Sequence, residues 1–380
     1  MKKIAFTLIA SSTALLEASD LPQDFYSQTQ LASRQWSLVP KKNSEDPSCQ
    51  IPNASNGLDK SLRNSYHPAV KEGMNLWVEA DVLYWKPWER ALVATNKKSD
   101  VFTTDDFTEK PAIHPNFEWS LGYRVSGGYI FGSEVWDVQA SWTHFSSHVS
   151  QHRSSHGSAF VGMFPIWSLA DDVIAGDYVF ESDLKWKISV GLLDLQFGRD
   201  FEVLKWLDLE PYFGLRSAWI KQSGTVDYEG GIFLIGILAP GVSLNGTDQI
   251  KMKNNYWGMG PRVGFAPRII LGKGFSINMD AAISGLYGFF NVRQKETYLD
   301  KTRFSHHSHP NRLCWIGDLA AGLQWKTFFH HERYALTLKT DWEYHIFFHQ
   351  FALKRDHFGL VSKNRDLSMQ GVTFASRFDF

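Results

Sequence analysis

In the eleven residues Gln370 to Phe380 (QGVTFASRFDF) side-chain character changes with a period of two. Val372, Phe374, Phe378 and Phe380 share one parity, and Gly371, Thr373, Arg377 and Asp379 share the other. A strand sends alternate side chains to opposite faces, so this stretch is a ribbon with one apolar and one polar face. At the edge of a soluble sheet such a ribbon is a template for aggregation. As the closing strand of a membrane barrel it turns its oily face to lipid and its polar face to the lumen. The last strand of a soluble sandwich is the competing reading.

The same rhythm begins at Met74 and recurs along the chain. Leu76, Val78, Ala80, Val82 and Tyr84 oppose Glu79 and Asp81, and Phe117, Trp119, Leu121, Tyr123, Val125, Tyr129 and Phe131 oppose Glu118, Ser120, Arg124 and Ser126. In 184–199 the parity changes: Leu184, Trp186, Ile188 and Val190 precede a slip at Leu192–Leu193, after which Leu195 and Phe197 continue. With the first set taken as outward-facing, the slip predicts a β-bulge. Ten strands result, and Gly230 to Leu238 (GGIFLIGIL) is apolar enough to add a hairpin, which would make twelve. Connections after even strands are short and those after odd strands are long, the rim asymmetry of an outer-membrane barrel with short periplasmic turns and long outer loops. The predicted fold is all-β, an antiparallel up-and-down transmembrane barrel. Phe117 and Trp119 are predicted to mark its outer interface, and Tyr129 and Phe131 its inner one.

Composition agrees with a barrel carrying aromatic girdles. Of 380 residues 15 are Trp, 28 Phe and 29 Gly, and the formal net charge of −1 gives no field for nucleic acid. Residues 1–18 read as a secretory signal, with Lys2 and Lys3 before an apolar run too short to span a membrane. Residues 19–73 read as a polar leader containing Pro22, Pro40, Pro47, Pro52 and Pro68, and 74–380 as the barrel. Cys49 and Cys314 are too few for a disulfide framework, and a single bridge, two free thiols or an intermolecular link all remain open.

Three segments, LWVEADVLYWKP (Leu76–Pro87), EPYFGLRSAWIKQ (Glu210–Gln222) and YWGMGPRVG (Tyr256–Gly264), resemble the pore-forming major outer membrane protein family named for Legionella. The resemblance spans essentially all of 74–380 and implies an outer-membrane porin without a cofactor; it supplies no catalytic or ligand residue. The terminal Phe and its alternation also resemble the signal by which barrels are recognised for insertion, which assigns Phe374, Phe378 and Phe380 to the insertion machinery.

By parity the lumen is expected to hold Glu79, Asp81, Glu118, Arg124, Asp137, Lys185, Lys187, Arg216, Arg262, Asp280, Asp318, Lys339, Asp341, Glu343 and Arg377. Both signs occur, which suits a wet pore; in a narrow barrel they would instead pair and fill it. His144, His148, His152 and His156 recur every fourth residue, and His306, His307 and His309 cluster, but no Cys or carboxylate completes a metal set, so no metal is assigned. Asp341, Glu343 and His345 are expected inward near the outer rim, where an acid/base site is conceivable. No second carboxylate pair stands at that depth, and no catalytic residue is assigned. The expected function is passive diffusion of small hydrophilic solutes and ions. The alternatives are a surface adhesin or structural protein and, third, a barrel hydrolase. The expected partners are outer-membrane lipid, the insertion machinery and small solutes, with no nucleic acid; a homo-oligomer is compatible.

Overall fold

The computed structural model describes residues 75–93, 95, 99–100, 114–131, 136–155, 161–163, 165–167, 179–229, 232–233, 242–243, 247–298, 301–331, 333–353 and 365–380. The signal sequence, the leader, Cys49 and His156 lie outside these residues. No helix among them is long and apolar enough to cross a membrane.

Ten long strands form the barrel: β1 Leu76–Glu89, β2 Ser120–Phe131, β3 Trp136–Ser154, β4 Glu181–Arg199, β5 Leu207–Glu229, β6 Thr247–Gly272, β7 Phe275–Tyr298, β8 Asn311–Phe329, β9 Tyr334–Phe347 and β10 Leu367–Asp379. Each pairs antiparallel with its neighbours in sequence, and β10 pairs with β1 from Trp77↔Asp379 to Glu89↔Leu367, closing the ring. Short connections lie on the rim where β1 begins and β10 ends. The tightest is Lys273–Gly274, where φ of 53° and 86° places both residues in the left-handed region that a two-residue hairpin requires.

The apolar parity faces lipid wherever the ring crosses the membrane. Val82, Leu121, Val125, Phe213, Val263, Ile283, Leu319 and Phe374 are exposed, while Asp81, Ser126, Arg216, Arg262, Asp318 and Thr373 are buried inside. Trp119 stacks on Tyr84 at 5.3 Å, and Trp257 on Phe289 at 5.5 Å, on the outward side of this band. On the inward side Phe378 stacks with Tyr334 at 5.9 Å. Phe117 does not join the outer girdle. It precedes β2, is 1% exposed and packs in the interior, and Glu118 beside it is exposed.

Two other expectations are corrected. The register of β4 against β3 and β5 runs without a shift through Leu192 and Leu193, so there is no bulge. Leu184, Trp186, Ile188 and Val190 therefore point inward, and Lys185 and Lys187 outward. The segment at Gly230–Leu238 adds nothing to the ring: Ile232–Phe233 pairs with Val242–Ser243 as a separate ribbon, and β5 pairs directly with β6. These strands are also longer than the alternation suggested, with 23, 26 and 24 residues in β5, β6 and β7. A crossing takes roughly 9–11 residues, so this side of the barrel rises well beyond the membrane.

The facing assignment has a direct test. An Arg at the lipid-facing Val125 should cost about 2–4 kcal/mol near mid-membrane, whereas one at the inward Ser126 next door should cost less. Folded yield in vesicles would measure it, and equal losses would contradict the assignment.

Candidate functional site

The inward parity divides the lumen into two storeys. From the short-turn rim to mid-membrane it is polar; beyond that it is mainly apolar, with Glu89, Gln222, Asn254, Gln294, Glu296 and Gln350 buried among the apolar side chains. The change falls at the same step on many strands: Asp81 to Leu83, Thr143 to Phe145, Asp194 to Leu192, Arg216 to Ala218, Ser284 to Leu286, Asp318 to Ile316 and His345 to Phe347. The polar storey encloses a cavity of about 240 Å³.

Twelve of the residues expected in the lumen line that cavity: Glu79, Asp81, Arg124, Asp137, Arg216, Arg262, Asp280, Asp318, Lys339, Asp341, Glu343 and Arg377. Glu118, Lys185 and Lys187 do not, because the first precedes the strand proper and the other two sit on the outward parity of β4. Asp194, Glu210, Tyr212, Arg268 and His345 complete the charged and titratable part of the lining. Tyr212 escapes a search for charge, although its hydroxyl donates to Asp280 at 2.8 Å. Asp194 lies between the outward Leu193 and Leu195 of β4 and is buried among the lumen charges.

Register builds the pairs. Asp81 stands opposite Arg124, Asp194 opposite Arg216 and Asp318 opposite His345 on adjacent strands, the separation at which opposite charges attract across a ladder. Arg216 grips Asp194 with two bonds, Nε to Oδ1 at 2.6 Å and Nη2 to Oδ2 at 2.7 Å, and donates from Nη1 to Asp318 at 2.6 Å. Arg262 reaches the same Asp318 oxygen. Arg124 binds Glu343 in the same forked way, at 3.0 and 2.7 Å, and Asp81 at 3.2 Å. His345 joins the two halves, with Nδ1 2.7 Å from Asp318 and Nε2 3.0 Å from Glu343. Lys339 donates to Glu79 at 2.8 Å. The forked Arg–carboxylate geometry is the strongest form of ion pair and satisfies several donors at once.

The apolar storey is a core in its own right. Wall residues Trp186, Ile188, Ile220, Met252 and Phe290 meet residues carried by the outer connections: Leu92, Val93, Ile166, Trp167, Phe351 and Leu353. Trp167 donates from Nε1 to the Val93 carbonyl at 2.6 Å, and its ring lies 5.8 Å from Phe351. Tyr256 lies flat against the wall at Gly258 and Gly288; a Cβ at Gly288 would fall 2.0 Å from its ring. Cys314 is buried in this storey. Trp85 forms the floor, 5.8 Å from the Arg124 guanidinium and 4.7 Å from the His345 ring, while its Nε1 donates to Thr373 at 3.1 Å.

His144, His148 and His152 lie on one face of strand β3, where a four-residue spacing is about 13 Å, too far apart to share a metal. Among the described residues no group of three His, Cys, Asp or Glu could hold a metal ion.

Arg216→Ala would leave Asp194 facing no forked partner and should cost about 3–5 kcal/mol, the usual result of stripping one member from a buried pair. Arg268→Ala, whose guanidinium is 3.9 Å from Asp208 and partly exposed, should cost at most about 1 kcal/mol. Urea unfolding of the barrel in vesicles would rank the two, and a reversed order would contradict the network.

Among solved structures the chain is similar to the outer-membrane protease OmpT of Escherichia coli, at 12% identity and a TM-score of 0.38, covering 83% of this chain and 100% of that one. It is also similar to the monoaromatic hydrocarbon channel CymD, at 10% identity and a TM-score of 0.22, covering 84% and 91%. The toluene transporter TodX of P. putida follows at 7% identity and a TM-score of 0.23, covering 81% and 89%. No curated protein matches it. The family model described as Legionella pneumophila major outer membrane protein precursor matches residues 67–380, and the chain belongs to that family of outer-membrane β-barrels.

Proposed function

We propose that this barrel is a channel for small hydrophilic solutes and ions, shut in the conformation described here by its apolar outer storey. The observation that carries the reading is who supplies the seal. Much of it comes from segments of the outer connections, around Leu92, Trp167 and Phe351, rather than from the wall alone. Side chains on connections can withdraw without breaking a barrel hydrogen bond, and below them the lumen is already polar. Its lining holds nine carboxylates against six Arg and Lys, so by formal charge the open lumen favours cations.

In this reading the chain is not an enzyme. Both ring nitrogens of His345 are engaged by carboxylates, leaving none to take a proton from a substrate. The seal also lies between this cluster and anything arriving from outside. Phe374 and Phe378 on the outward parity of β10, with Phe380 just after it, would serve recognition by the insertion machinery.

Truncating Trp167 and Phe351 to Ala removes side chains that contribute about 3–5 kcal/mol each in a packed core. Even part of that, spent on the closed state of a two-state gate, would raise the open population by roughly a hundredfold. In planar bilayers the wild type should open rarely in discrete steps, and the double variant often, with reversal potentials in a KCl gradient on the cation side. Silence from both proteins would refute the channel and favour a surface structural role.

A further inference from the structure

Above the aromatic row, the outward face of β4 to β7 carries cations and almost nothing to balance them. The row itself runs through Gly191, Trp219, Trp257 and Phe289, which are neighbours across the ladders, and the Trp142 ring leans over Gly191 to lie 5.6 Å from Trp219. Two residues further out on β5 stands Lys221. The next row places Lys187, Ser223, Lys253 and Arg293 side by side, and the row after it Lys185, Thr225, Lys251 and Lys295. All seven cations are exposed, and among the described residues none makes an ion pair.

Two of these contacts are like-charge pairs at direct cross-strand positions, Lys253↔Arg293 and Lys251↔Lys295. Like charges directly opposite destabilise a sheet. The rows contain no carboxylate to relieve them. The nearest acids on this face, Asp183 and Asp227, lie one row beyond and are turned to other partners: Asp183 to His152 at 2.9 Å and Asp227 to the Gln249 amide at 2.7 Å. Among the described residues these pairs meet no counter-anion, which leaves the face open to an anion from outside.

Height identifies its source. With about 3.3 Å per residue and strands tilted about 40°, the cations stand roughly 5, 10 and 15 Å outward of the aromatic row. A phospholipid headgroup layer is only about 5–8 Å deep on each side. The lowest cation meets that layer and the upper two rows pass it. We propose that this face binds lipid of the outer leaflet whose headgroup is tall and carries several phosphates, with each phosphate seated between cations of neighbouring strands. Lys and Arg suit that ligand, since both donate charge-assisted bonds to phosphate oxygens and their stems bend toward the membrane.

The test uses the full chain folded in phosphatidylcholine vesicles, with the unfolding temperature read from the gel shift of the folded barrel. Adding lipopolysaccharide with a phosphorylated core to the vesicles should raise that temperature, and diphosphoryl lipid A, whose two phosphates lie at phospholipid height, should raise it less. Phosphatidylglycerol should raise it by less than half as much, and inorganic phosphate should leave it unchanged. The charge-neutral variant K253Q/R293Q should be more stable than wild type in phosphatidylcholine alone, because repulsion is relieved, yet lose most of the lipopolysaccharide shift. K185Q/K187Q on the neighbouring wall should also lose part of the shift, and this holds whether or not the first variant folds. K273Q, on the opposite rim, should keep all of it. An undiminished shift in the β4 and β6–β7 variants would overturn the proposal, as would equal stabilisation by phosphatidylglycerol or by inorganic phosphate. None of these readings depends on whether the lumen conducts.

Discussion

Hydrocarbon offers no partner to a backbone N–H or C=O, so a sheet can cross a membrane only if its first strand finds its last. Here that requirement is met by thirteen consecutive partners between β1 and β10. Once the ring closes, register is no longer free: a slip of one residue would turn every lipid-facing side chain inward. The alternation in Gln370–Phe380, hazardous on an open edge, becomes safe because Phe374 faces lipid and Thr373 and Ala375 face the interior, with no edge left over. The same closure sets which charges meet, since Asp81 reaches Arg124 and Asp194 reaches Arg216 only because the ladders hold them opposite.

A ring of ten strands is near the size at which side chains fill the interior. This chain fills it in two ways, and the join between them is one residue wide. Trp85 touches the ion-pair network through the Arg124 guanidinium and the His345 ring, and it touches the apolar core through Phe145 at 5.6 Å. A buried ion pair is weak evidence for stability when compared with an apolar filling of equal volume. The network is better understood as the way to keep charge in the lumen while the barrel is shut. The apolar storey then does the closing, and dry packing excludes water more completely than any ring of charges.

Much of this was legible in the residues alone. Parity along β1 to β3 and β5 to β10 predicts the faces, and twelve lumen residues follow from it. Two misreadings have separate causes. A reading by hydrophobicity turns every apolar residue outward. That rule holds only where lipid is the outside solvent, and it therefore misplaced Leu184 to Val190 and, with them, Lys185 and Lys187. Phe117 failed for a different reason: a strand's parity says nothing about residues just before its first ladder bond. The pairing of His345 with both Asp318 and Glu343 was beyond reach, since Asp318 and His345 are brought together by a ladder between β8 and β9 and not by spacing within either strand.

The change of parity on β4 has a physical meaning that a bulge would have hidden. Outside the membrane the same strand must turn its polar face to water and headgroups and its apolar face to the interior, the reverse of what lipid demands. No residue need be inserted to achieve this, because only the outside solvent changes. Trp219 faces out and Ile220 in, Trp257 out and Tyr256 in, Phe289 out and Phe290 in, each at the aromatic row. Beyond that row the outward face becomes Lys221, Lys253 and Arg293. A hydrophobic alternation that inverts while register continues thus marks the membrane surface itself. The tall wall of β4 to β7 owes both its dry interior seal and its basic outer face to that single inversion.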